Sequence, residues 1–372
     1  MKKTTLKSAA TALASLILIG SIQAKAVSAD SKIIVDGRAD YLSQNYNDDG
    51  TSRPSNGVFR INGFRMDVLG KLGEDTAYRF RMNFPNSPAT TTYPAPADNI
   101  SSFFDYAYVA RTLSEGLTLT LGKQWSGTAG WVGTYDPADV YAYPAGFLDT
   151  LSNTVIYVTG AGLKYMTGLG SFSLIASDPG ASSTDSGAAT GNSNNGRTAL
   201  SGRWFGKFMD GALQPTLSYM TEGRQNQSSS TKNLVNTYTS GGIRFTKPVF
   251  DIDADYLMNS FADKTTAGQS DVTNSMFILG RYKMVDLGLK AFATYENSTR
   301  KTETSATVEK KVDTSAITLG VEYYPKKDDD FRYHLAYTNQ TIKTDLGTGA
   351  AATNQAMQQI IAGVRFKSDL LK

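Results

Sequence analysis

Cysteine is absent from the 372 residues, and His334 is the only histidine. No disulfide framework, thiolate metal site or cysteine nucleophile can form. A Ser-His-Asp arrangement would need a serine and an acid converging on His334, and spacing cannot show that. There is no zinc motif, P-loop or dinucleotide fingerprint. Neither catalytic nor metal-binding residues are expected, nor is a cofactor. Beyond the first residues there is also no run of about 18 apolar positions, so no spanning helix is expected. The mean hydropathy of −0.29 agrees. It leaves a membrane β-barrel open, because a barrel exposes only every second strand residue to lipid.

The start of the chain has the form of a Sec-type signal peptide. Lys2, Lys3 and Lys7 precede a short uncharged apolar run from Ser8 to Ile19, followed by the small-residue sites Ala24-Lys25-Ala26 and Val27-Ser28-Ala29. Cleavage after Ala26 is expected, leaving 27–372 as one exported domain. The segment removed carries four lysines and no acid, so the net charge of +3 becomes −1. No dense basic block remains, and a nucleic-acid partner is not expected.

The dominant pattern is strict alternation. In Phe250–Met258 the apolar Phe250, Ile252, Ala254, Tyr256 and Met258 alternate with Asp251, Asp253, Asp255 and Leu257. Successive strand side chains point to opposite faces, so one face is oily and the other largely acidic. The same grammar recurs in segments of about ten residues. It predicts an all-β, antiparallel, up-and-down transmembrane barrel of about 16 strands, with short periplasmic turns and long outer loops. The phase slips near Gly63, as a bulge would require.

Alternation sorts the charges. Arg38, Arg79, Arg81, Arg111, Arg203, Lys207, Arg244, Arg281, Lys290, Arg332 and Arg365 fall inward, with Asp36, Asp40, Asp67, Asp105, Asp251, Asp253, Asp255, Glu296 and Glu322. A charge facing lipid costs about 2–4 kcal/mol near the midplane, so these residues require a hydrated lumen. Many should pair across strands, the three aspartates of Phe250–Met258 with Arg244 and Arg281. Arg79 and Arg81, two apart on one face, form the best electropositive ladder. Phe104, Tyr106 and Tyr108 are read as outward. Tyr41, Tyr78, Tyr108, Tyr219, Tyr282, Tyr295, Tyr323 and Tyr337 near strand ends suit interfacial girdles.

The segment Ser126–Thr154 is too long for a simple connection and too aromatic for disorder. It contains Trp131, Tyr135, Asp136, Asp139 and Tyr141, and is expected to fold into the lumen as a constriction loop. The outer loops Asp178–Arg197 and Asn297–Asp313 are expected to be mobile.

Residues 58–125 resemble the phosphate-selective porin O and P family. The stretches that carry the likeness are Gly63-Phe64-Arg65-Met66-Asp67-Val68-Leu69-Gly70-Lys71-Leu72, Tyr78-Arg79-Phe80-Arg81, Phe104-Asp105-Tyr106-Ala107-Tyr108-Val109 and Gly116-Leu117-Thr118-Leu119-Thr120-Leu121-Gly122-Lys123. The resemblance implies a sixteen-stranded outer-membrane porin, typically a homotrimer, with a basic lumen. It would contact outer-membrane lipid and lipopolysaccharide. The expected function is passive diffusion of small ions and hydrophilic solutes, general or weakly selective, with an anion bias. The alternative is a loop-plugged structural or adhesive barrel.

Overall fold

The computed structural model describes residues 31–48, 51–54, 57–84, 104–135, 139–141, 157–178, 199–225, 233–263, 270–305, 308–326, 330–347 and 351–371. Seventeen strand segments form a single sheet: β1 (Lys32–Asp48), β2 (Thr51–Pro54), β3 (Val58–Lys71), β4 (Thr76–Phe84), β5 (Phe104–Ser114), β6 (Leu117–Trp125), β7 (Tyr157–Thr167), β8 (Gly170–Asp178), β9 (Ala199–Gly206), β10 (Leu213–Gln225), β11 (Asn233–Thr246), β12 (Phe250–Asp263), β13 (Ser270–Met284), β14 (Leu289–Ser305), β15 (Val308–Tyr323), β16 (Arg332–Asp345) and β17 (Thr353–Asp369). From β3 to β17 each strand pairs antiparallel with the next in sequence, and β1 closes the ring against β17. β2 and β3 both pair with the same edge of β1, so the segments fill sixteen places in a closed barrel. Closure matters because an unpaired backbone group in hydrocarbon is costly and a closed sheet has no edge.

The alternation holds where it was clearest. On β12, Asp251, Asp253, Asp255, Leu257 and Asn259 are buried while Ile252, Ala254 and Tyr256 are exposed. On β16, Arg332, His334, Ala336 and Thr338 are buried while Tyr333, Leu335 and Tyr337 are exposed. The exposed apolar set continues around the barrel through Leu121, Leu163, Leu174, Leu217, Ile243, Leu319 and Ile360. This is the lipid-facing belt. The slip near Gly63 is also present. The β1–β3 register passes from Gly37↔Phe64 to Ala39↔Ile61, and Gly63 takes φ +126°, which favours glycine.

Three expectations need correction. On β5 the register runs Arg81↔Tyr106 but Met82↔Phe104, so Asp105 is an extra residue. Such a bulge inverts the phase beyond it. Tyr106 and Tyr108, opposite Arg81 and Arg79, therefore face the lumen. Arg111 falls on the outer face beside Leu119 and is exposed near the short-turn end, so it does not line the pore. Secondly, Asn297–Asp313 is not a loose loop. β14 runs to Ser305 and β15 starts at Val308, with the pairing continuous from Asn297↔Ser315 to Glu303↔Glu309. Three of its four cations are matched: Arg300 with Asp271, Lys301 with Glu309, and Lys311 with Asp313. Asp178–Arg197 lies outside the described residues apart from Asp178. Thirdly, the lumen is not polar throughout. Leu42, Met220, Tyr238, Leu257, Phe277, Leu279, Phe292, Ala336 and Ile361 form a buried cluster with Ala129, Val132 and Tyr141. The last three belong to the segment after β6, so an apolar patch of the inner wall is its docking surface. Each large side chain covered there contributes about 1.5–3 kcal/mol.

Candidate permeation pathway

Of the segment 126–154, residues 126–135 and 139–141 are described; they enter the barrel and are held at successive points around the inner wall. Its first anchor is a carboxylate. Asp255 accepts the backbone N–H of Trp131 on Oδ1 and that of Val132 on Oδ2, both at 2.8 Å. Ser240 Oγ accepts from Gly130 N at 3.0 Å, and Arg203 Nη2 donates to Gly130 O at 2.8 Å. The indole Nε1 of Trp131 donates to Gln214 O at 2.9 Å. These bonds satisfy the polar groups of a buried turn that has no sheet partner.

Farther along, Tyr135 meets two arginines. Arg244 Nη2 donates to its hydroxyl at 2.6 Å, and the Arg281 guanidinium lies over its ring at 4.2 Å. Asp139 bridges Arg332 and Arg365, the latter at 3.2 Å. Arg38 Nη1 donates to Val140 O at 2.9 Å. Tyr141 stacks on Phe292 and donates its hydroxyl to Glu322 at 2.8 Å. Burial and the adjoining Glu322 carboxylate push the Tyr141 phenol well above its ordinary range, so it remains a donor. The contacts of the loop thus run from β9 through β17 to β1.

The predicted site residues sort as follows. Arg38, Arg203, Arg281, Arg332 and Arg365 face inward, and all five contact the loop or its anchoring groups. Arg79, Arg81 and Asp105 face inward on β4 and β5. Lys207 lies just beyond β9 at the short-turn rim and is exposed there. Trp131, Tyr135, Asp139 and Tyr141 all touch the wall, whereas Asp136 lies outside the described residues.

The acidic row of β12 divides. Asp253 pairs with Arg244 at 2.7 Å, and Asp251 with Lys283 at 2.7 Å and Arg281 at 3.5 Å. Asp255, assigned to the same pairing, serves the loop instead. Alternation could place Asp255 inward but could not reveal a partner in another segment.

The wall of β3 to β8 has another character. Arg79 pairs with Asp67 and lies 4.3 Å over the Tyr106 ring. Arg81 pairs with Asp105 at 3.0 Å, lies 4.4 Å over the same ring, and donates to Tyr157 Oη. Arg65 sits 4.0 Å from Asp105. Lys164 faces the same space. Four bases here, Arg65, Arg79, Arg81 and Lys164, meet two acids, Asp67 and Asp105. The aromatic faces shield the guanidiniums without neutralising them.

The sequence profile of the phosphate-selective porin O and P family matches residues 33–358. No protein of curated function matches at a significant level. Several solved outer-membrane barrels share the fold. An anion-selective porin from Comamonas acidovorans aligns at TM-score 0.60 with 14% identity, over 91% of this chain and 100% of its own. The outer membrane channel DcaP of Acinetobacter baumannii aligns at TM-score 0.57 with 14% identity, over 91% and 96%. The Vibrio cholerae outer membrane protein OmpT, in a trimer form, aligns at TM-score 0.57 with 14% identity, over 91% and 100%. With the match covering most of the chain, and a closed sixteen-place barrel beneath it, this protein belongs to the phosphate-selective porin O and P family and is an outer-membrane porin channel.

Proposed function

We propose that the channel passes small hydrated anions in preference to cations, through the part of the lumen left between the loop and the wall of β3 to β8. The observation that carries this reading is the excess of bases over acids on that wall, where Arg65, Arg79, Arg81 and Lys164 face Asp67 and Asp105. Elsewhere the inward charges are largely consumed in holding the loop or in pairing across strands. Segment 126–154 acts as the constriction, and fixed charge at a narrow point sets ion preference. The family description and the anion-selective relative support the same direction. The working form is a homotrimer in contact with outer-membrane lipid and lipopolysaccharide, reached after residues 1–26 direct export and are cleaved.

Flux into proteoliposomes tests the preference. Phosphate is expected to enter faster than erythritol, a neutral solute of similar size, with the difference shrinking as salt is raised. Equal or slower phosphate entry at low salt contradicts the proposal.

A further inference from the structure

We infer that the lumen holds a subsite for small aromatic carboxylates, built around Gln124, Trp125 and Arg203. The inference rests on the anion preference proposed above and narrows it to a chemical class. Three buried donors without hydrogen-bond partners belong to these residues: Gln124 Nε2, Trp125 Nε1 and Arg203 Nη1. Gln124 and Arg203 are only 8% and 5% exposed. All three side chains line one cavity of about 270 Å³ against β5 to β9. Buried donors are normally satisfied, and orphans that share a cavity call for an acceptor within it. Among the described residues that line this cavity there is no carboxylate, while Arg79, Lys164 and Arg203 bring three cations. An anion would both accept from these donors and balance the cations around them.

The walls define the rest of the ligand. The Arg203 guanidinium lies 3.7 Å from the Phe205 ring centroid and 4.2 Å from that of Trp125. Tyr106 and Tyr108 line the same cavity, turned inward by the bulge at Asp105. Aromatic faces beside a donor cluster offer a flat ring offset or edge-on packing while its carboxylate takes the N–H groups. Inorganic phosphate would meet the charge but leave the rings uncovered. Lys164, Ser173, Arg203 and Ser218 are register neighbours on successive strands, so two cations and two hydroxyls form one polar row at this level.

The test is current block of the full-length channel in planar bilayers, with sodium benzoate, acetate and phosphate at matched ionic strength. Benzoate is expected to interrupt the current at a concentration about tenfold lower than acetate or phosphate, the worth of the ring packing that neither of those anions can make. Trp125→Phe keeps a ring but removes the indole N–H, and Gln124→Leu removes the carboxamide. Each is expected to narrow the benzoate-to-acetate ratio several-fold, in protein whose heat-modifiable mobility shows a folded barrel. Equal block by the three anions in a channel that still prefers anions overturns the subsite alone. So does a ratio that neither substitution changes. A cation-selective channel overturns the underlying preference.

Discussion

Replacing Arg79 and Arg81 together by glutamine is expected to abolish most of the anion preference. The two guanidiniums are two of the four bases in the cluster of Arg65, Arg79, Arg81 and Lys164, and their removal leaves Arg65 and Lys164 against Asp67 and Asp105. A unit charge acts on an ion 4 Å away with about 1 kcal/mol even in bulk water. Two such charges therefore change the anion-to-cation permeability ratio by roughly tenfold or more. Glutamine removes the charge and keeps a hydrogen-bonding side chain, whereas glutamate would set like charges against Asp67 and Asp105. The change is read as a shift of the reversal potential towards zero, at about 0.1 M salt, where the Debye length is still about 10 Å. An unmoved reversal potential would show that these arginines only brace the wall.

Asp255→Ala should act on the loop with comparable force. The Asp255 carboxylate takes two backbone N–H groups of the turn at Trp131 and Val132. Hydrogen bonds to a charged acceptor contribute about 1.5–3 kcal/mol each. Their loss leaves two buried donors unpaired and weakens the grip of β12. The distal anchors, Asp139 on Arg332 and Arg365, and Tyr141 on Glu322, would still hold the far end. The expected outcome is a larger, noisier single-channel conductance and faster proteolysis within 126–141, with the barrel still heat-modifiable. Unchanged conductance and protease resistance would mean that the apolar docking surface alone secures the loop.

Much of the barrel is legible in the sequence because lipid outside and water inside impose a two-residue period. β12 and β16 state it without interruption, so the inward places of Asp251, Asp253, Arg332 and His334 follow directly. Where the period breaks, the reading degrades. The slip at Gly63 is visible because glycine marks it, but the bulge at Asp105 has no such marker. A single inserted residue moved Tyr106 and Tyr108 from the lipid face to the lumen and Arg111 the other way. The loop posed another difficulty. Its length and aromatic content indicated an inward fold, yet its anchors depend on which wall residues lie at its depth. The alternation of β12 makes Asp255 the equal of Asp251 and Asp253. Tertiary placement alone gives it Trp131 and Val132 instead of an arginine. The inward apolar residues Leu257, Phe277 and Phe292 interrupt a polar face for the same reason, since they meet Val132 and Tyr141 and not water.

The most direct measurement is the reversal potential of the wild-type channel across a KCl gradient, recorded on single channels in a planar bilayer. Stable conductance steps with a reversal potential of the sign for chloride over potassium are predicted, because the wall facing the loop carries more bases than acids. A potassium-selective reversal potential, or no conductance from a folded barrel, would contradict an anion path between the loop and β3 to β8.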